Sequence, residues 1–109
     1  MESRVISVTT GNYREEVFEN RGQIVLVFYC TVEFWNNLRS VFDELSNMDG
    51  AIKICSINTY LEPELGQMFG MTDGSGLVFL NDGIIVKKDS IPETVQGVRS
   101  WFERMIRTQ

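Results

Sequence analysis

The sequence predicts an α/β domain in which a central mixed sheet lies between two layers of helices, and three observations carry that prediction. Ile24 to Cys30 is an unbroken apolar run rich in β-branched and aromatic residues, as expected of a strand covered on both faces. The pattern then switches at once: Phe34, Leu38, Val41, Phe42 and Leu45 fall at offsets of 4, 7, 8 and 11, one face of an α-helix. Finally, strand-like and helix-like stretches alternate along the whole chain in the order β-α-β-α-β-α-β-β-α. Alternating βα units call for parallel strands with helices on both faces, and the closing hairpin adds an antiparallel edge.

Arg4 to Val8 is the first strand. Thr9 to Gly11 turn the chain, and Asn12 with Glu15 forms a capping box opening a short helix with Tyr13, Val17 and Phe18 inward. The central strand and long helix follow, and Asn47 to Gly50 is the exit turn. Ala51 to Ile57 is the third strand, again β-branched, and Asn58 to Glu62 is a loop. Pro63 sits at the start of a helix that turns Leu65, Met68 and Phe69 inward and ends at Gly70. Thr72 to Gly76 is a glycine-rich turn; it lacks the lysine of a phosphate loop and opens no strong helix. Leu77 to Leu80 and Ile84 to Lys88 form a hairpin around Asn81-Asp82-Gly83. Ser90, Pro92 and Glu93 start the last helix with a second capping box, and it buries Ile91, Val95, Val98, Phe102, Met105 and Ile106.

Composition narrows the function. At 109 residues the chain holds one domain, spanning 1–109. A formal net charge of -5 disfavours nucleic acid and anionic membrane as partners, because neither attracts an acidic surface. No apolar run approaches the roughly 20 residues of a membrane helix. The start, MESRVISV, has no charged segment leading into a long apolar one, so no signal peptide is expected. Two cysteines, Cys30 and Cys55, sit in apolar strand-like runs and read as buried free thiols of a reducing, cytoplasmic compartment. The absence of histidine excludes Ser/His and Cys/His triads and removes the commonest metal ligand. No cofactor, metal site or catalytic residue is expected.

The element order and four local stretches resemble thioredoxin over nearly the whole chain. Thr9 to Val17 resembles that family's opening turn and first helix, and LVFYC and FDELS bracket its active-site turn at the family's spacing. EPELGQMFGM (62–71) resembles its third helix, and GLVFLNDG (76–83) the strand and hairpin that follow. The resemblance implies a three-layer thioredoxin fold and, beside the active-site turn, a groove that takes extended peptides.

The chemistry does not carry over with the frame. Val32 to Asn37 stands where the family has Trp-Cys-Gly-Pro-Cys-Lys, so Glu33 and Asn36 occupy the slots of the two redox cysteines. Val27 stands at the family's buried acid, and Ser75 at the cis-proline that faces the dithiol. With neither attacking nor resolving thiol, exchange through a mixed disulfide cannot run at this turn.

The expectation is therefore a redox-inactive thioredoxin-like protein that binds a protein or peptide through residues 33–37 and 72–76. The candidate binding residues are Glu33, Phe34, Trp35, Asn36, Asp73, Gly74 and Ser75. Glu33, at a helix N-terminus, reads either as a capping carboxylate or as an acid of the site. Phe34 lies on the core stripe of its helix. Trp35, about 100° around the helix from it, either joins Leu38 and Phe42 or faces outward as an interface anchor. The alternative function is an oxidoreductase-like protein using the single thiol of Cys30, which would require Cys30 to be exposed beside the helix start.

Overall fold

The computed structural model describes residues 5–48, 52–71 and 74–107. Its elements follow the expected order: β1 (Ile6–Ser7), a π-helical turn (Arg14–Phe18), β2 (Gln23–Tyr29), α1 (Val32–Met48), β3 (Ile52–Asn58), α2 (Pro63–Met68), β4 (Gly76–Asn81), β5 (Ile84–Asp89) and α3 (Val95–Arg107). The five strands form one sheet in the order β1-β3-β2-β4-β5. β1, β3 and β2 run parallel, while β4 and β5 are antiparallel to their neighbours.

Strand alternation divides the core into two layers. Val25, Val27 and Tyr29 of β2, with Ile52, Ile54, Leu77 and Phe79, pack against α1 and α3. Ile24, Leu26 and Phe28, with Cys55, Ile57, Val78 and Leu80, pack against the π turn and α2. β2 is buried along almost its whole length because helices cover both of its faces. That explains why it lacks a polar alternation. Lys53, on the π-turn face of β3, binds the main-chain oxygen of Glu16 at 2.8 Å and its carboxylate at 2.6 Å, tying that turn to the sheet.

Several expected details change. Asn12 does not cap the helix that follows: its Oδ1 accepts from the Thr9 amide at 2.7 Å and its Nδ2 donates to Ser7 O at 3.0 Å. Its side chain thus braces the turn after β1, and the π turn opens without a side-chain cap. Of the residues expected inward there, Val17 is buried but Phe18 is 65% exposed, since so short a turn presents only one large residue to the sheet. In α2, Leu65 and Phe69, one turn apart, take the inner face and leave Met68 exposed. α3 starts later than Ser90: the Thr94 hydroxyl accepts from the Gly97 amide at 3.0 Å and serves as its cap. A proline disfavours helical backbone in the residue before it, so Pro92 argues against a helix running from Ser90 through Ile91. Val95, in the first turn, then overhangs the core and is exposed. The inner face of α3 is Val98, Trp101, Phe102 and Met105. Trp101 is a core residue that the apolar spacing of 95, 98, 102, 105 and 106 passed over. Its indole N–H donates to Asp89 Oδ2 at 2.8 Å, joining α3 to β5. Arg4, Ala51 and the Ile106 side chain lie outside what the structure describes.

Candidate functional site

Three segments meet at the C-terminal ends of the two central parallel strands. β2 and β3 end level with one another, Tyr29 beside Asn58. The chain leaves β2 through Cys30 and Thr31 into α1, leaves β3 through Thr59 to Leu61 into α2, and enters β4 through Gly74 and Ser75. Thr59 joins all three. Its amide donates to Tyr29 O at 2.8 Å, and its hydroxyl lies 2.7 Å from Gly74 O and 3.1 Å from Tyr29 O. The single hydroxyl proton serves the nearer carbonyl or is shared between the two.

Gly74 is required by two independent constraints. Its φ of +86° lies in the left-handed region, which disfavours side chains. A Cβ there would also stand 3.0 Å from Cys30 Cβ, 3.1 Å from Thr59 Oγ1 and 3.4 Å from Cys30 Sγ. Cys30 is thus packed beside Gly74, yet it remains exposed to solvent. The expectation that both cysteines are buried fails for Cys30, because the paired ladder of β2 ends one residue earlier. Cys55 is fully buried on β3, and desolvation pushes its thiol up to about 12 despite the nearby Lys53. A thiol held neutral in this way is inert at physiological pH.

The candidate residues of α1 separate. Thr31 caps the helix, its Oγ1 accepting from the Phe34 amide at 3.3 Å, so the capping role considered for Glu33 belongs to Thr31. Glu33 is exposed in the first turn, where the helix dipole favours its charge. Asn36 is also exposed. Phe34 is half-buried and packs against the α1/α3 core. Trp35 takes the inward alternative. It is 8% exposed and stacks on Tyr29, centroids 5.1 Å apart, and on Phe42 at 5.9 Å. An outward Trp35 would break this three-ring stack, so it does not serve as an exposed interface anchor. Gly74 and Ser75 are half-buried and joined by a trans peptide bond. Thr72 and Asp73 lie outside the described residues.

Other side chains supply the exposed apolar surface here. Asn58 Oδ1 accepts from the amides of Tyr60 and Leu61 at 2.9 and 3.3 Å, forming a turn that holds both residues out from the sheet. Tyr60 is 81% exposed and Leu61 67%, and Val32 at the start of α1 is 58% exposed. A cleft of about 240 Å³ is lined by Thr59 and Pro63, which bracket Tyr60 and Leu61 in the chain, and by Gly66, Gln67, Met71 and Gly74. The residues that line it come from the loop after β3, from α2 and from the approach to β4, and none belongs to α1. The sequence carried one signal of this surface: an adjacent Tyr-Leu pair inside the otherwise polar loop from Asn58 to Glu62.

Val27, where the resemblance places a buried acid, is fully buried between Ser56 and Leu77 on the flanking strands and can relay no proton. Among the described residues no three or more Asp, Glu, Cys or His side chains converge as metal ligands.

No family profile matches the chain. Its backbone is similar to that of mitochondrial thioredoxin 3 from Saccharomyces cerevisiae in its oxidized form. The TM-score is 0.75 over 92% of this chain and 94% of that one. The fold is thioredoxin-like. At 13% identity the likeness extends to the backbone and not to the side chains that would do chemistry. Within this thioredoxin-like frame, Cys30, Val32, Glu33 and the Thr59 to Leu61 loop occupy the ends of β2 and β3, where open α/β sheets concentrate binding residues. Among the described residues no helix is long and apolar enough to cross a membrane.

Proposed function

We propose that this chain is a redox-inactive thioredoxin-fold protein that binds another protein through the surface at the ends of β2 and β3. The observation that supports the reading is the exposure of Tyr60, Leu61 and Val32 where β2 and β3 end, the end of the fold at which the thioredoxin resemblance sets a dithiol and this sequence has Glu33 and Asn36. An exposed tyrosine with aliphatic neighbours beside a concave surface has the composition of an interface centre, and Glu33, Asn36, Gly74 and Ser75 supply a polar rim. The occupant is an extended peptide or a loop of a protein partner.

Reduction of the insulin disulfides in the presence of dithiothreitol tests the redox half of this reading. Wild type and Cys30→Ser are both expected to match buffer alone. Pull-down with Tyr60→Ser/Leu61→Ser tests the binding half, with loss of native partners expected. A double variant that retains every partner removes the groove from the proposal.

One observation favours a second reading, a monothiol oxidoreductase: Cys30 is exposed and sits next to Gly74 beside the start of α1. Its thiolate would attack a disulfide sulfur and release one thiolate. An external thiol would then resolve the mixed disulfide. An insulin reduction rate above buffer that disappears in Cys30→Ser would establish this reading in place of the first.

A further inference from the structure

β5 is the free long edge of the sheet, since the opposite edge, β1, is only two residues long. An unpaired strand edge presents a row of backbone donors and acceptors to any extended chain. Three consecutive apolar residues stand open on it: Ile84 is 70% exposed, Ile85 47% and Val86 42%. Val86 is the extra residue of a bulge, for Leu80 pairs with Ile85 while Phe79 pairs with Lys87. On the π-turn face, β5 borders an apolar cleft of about 200 Å³ lined by Tyr13, Val17, Phe18, Phe69, Leu80 and Ile85. Phe18, which the fold leaves outside the core, forms part of its wall.

The charge along this edge is opposite to that of the chain as a whole. Net charge is -5, yet two of the three lysines, Lys87 and Lys88, lie on β5. Both are exposed, and neither is paired with a described carboxylate. Arg21 lines the same cleft, its guanidinium donating to the main-chain oxygen of Asp82 at 3.0 Å. Asp89, which accepts from the Trp101 indole, lies on the same face as Lys87, so β5 carries two lysines against one carboxylate. Lysines on an edge can serve to repel other strands, and so can a bulge. Here the lysines guard only the far half and leave Ile84 to Val86 uncovered.

We propose that β5 is a docking edge for an extended, acidic and apolar segment of a partner protein, which adds as a sixth strand and lays side chains into the cleft beside Phe18. Backbone pairing supplies affinity in this mode, and side-chain pockets and cross-strand charges supply selectivity. A second copy of the chain fits poorly, because joining two β5 strands would bring four lysines onto one short ribbon. This edge is separate from the Tyr60 surface, so the two proposals stand or fall independently.

The probe is a fluorescein-labelled peptide of alternating valine and threonine flanked by aspartates, compared with the same peptide flanked by lysines, by fluorescence anisotropy. The full chain is expected to bind the aspartate-flanked peptide about tenfold more tightly, with a preference that shrinks as salt rises. Lys87→Glu/Lys88→Glu, changed only at exposed positions, should reverse the preference. Hydrogen exchange should slow at β5 amides when the acidic peptide is bound. Equal or absent binding of the two peptides overturns the proposal, as does binding without protection of β5. Concentration-dependent dimerisation lost in the charge-reversed variant would assign the edge to self-association and overturn it too.

Discussion

Replacing Trp35 with alanine separates a core tryptophan from an interface tryptophan. Trp35 is 8% exposed and stacks on both Tyr29 and Phe42 with centroid separations of 5.1 and 5.9 Å, so truncation removes both ring contacts and opens a cavity. Truncating a buried aromatic costs about 3–5 kcal/mol. For 109 residues the entropy of unfolding is about 0.23 kcal/mol/K. Dividing one by the other places the melting temperature of Trp35→Ala about 13–22 °C below wild type. Trp35→Phe keeps an aromatic ring in the stack and should lose much less. Thermal unfolding followed by circular dichroism measures both. A Trp35→Ala protein melting within about 3 °C of wild type would refute the assignment, because surface substitutions rarely cost more than about 0.5 kcal/mol. The result also decides how binding experiments are read. Lost partners in Trp35→Ala would report unfolding, whereas exposed Tyr60 and Leu61 can be changed with little cost to the fold.

Three further outcomes follow from the same geometry. Gly74→Ala places a side chain at φ +86° and 3.0 Å from Cys30 Cβ, and urea unfolding should show it about 1–3 kcal/mol less stable; an unchanged midpoint would mean the turn relaxes freely. The Cys55 thiol, pushed up from 9.0 to about 12 by burial, holds its proton more tightly folded than unfolded. Its contribution is therefore complete below about pH 9 and falls by about 1.4 kcal/mol per pH unit as pH rises toward 12. Cys55→Ala should flatten that alkaline limb in denaturant titrations, while a thiol-specific reagent on native wild type labels Cys30 alone. Trp101→Phe removes the 2.8 Å bond to Asp89 and should cost about 1.5–3 kcal/mol by urea denaturation; if Asp89→Ala, which removes the acceptor, cancels none of that cost in a double-mutant cycle, the bond contributes nothing.

The sequence by itself determined the architecture. Strands and helices were legible because their signals are local. The unbroken apolar run of β2, the 3.6-residue stripe of α1 and the Asp82-Gly83 turn, whose two φ values are 53° and 83°, each sit in contiguous residues. The absence of cysteine at residues 33 and 36 needed no structure at all. Tertiary structure alone decided which way side chains face. The direction of Trp35 depends on Tyr29 in another element, and Trp101 joined the core only where α3 crosses Asp89. Cys30 became exposed where the β2 ladder stops, and Ile84 to Val86 became an open edge because, among the described residues, no strand pairs with the far side of β5. A periodic pattern says which residues share a face. What covers that face is set by segments far away in the chain.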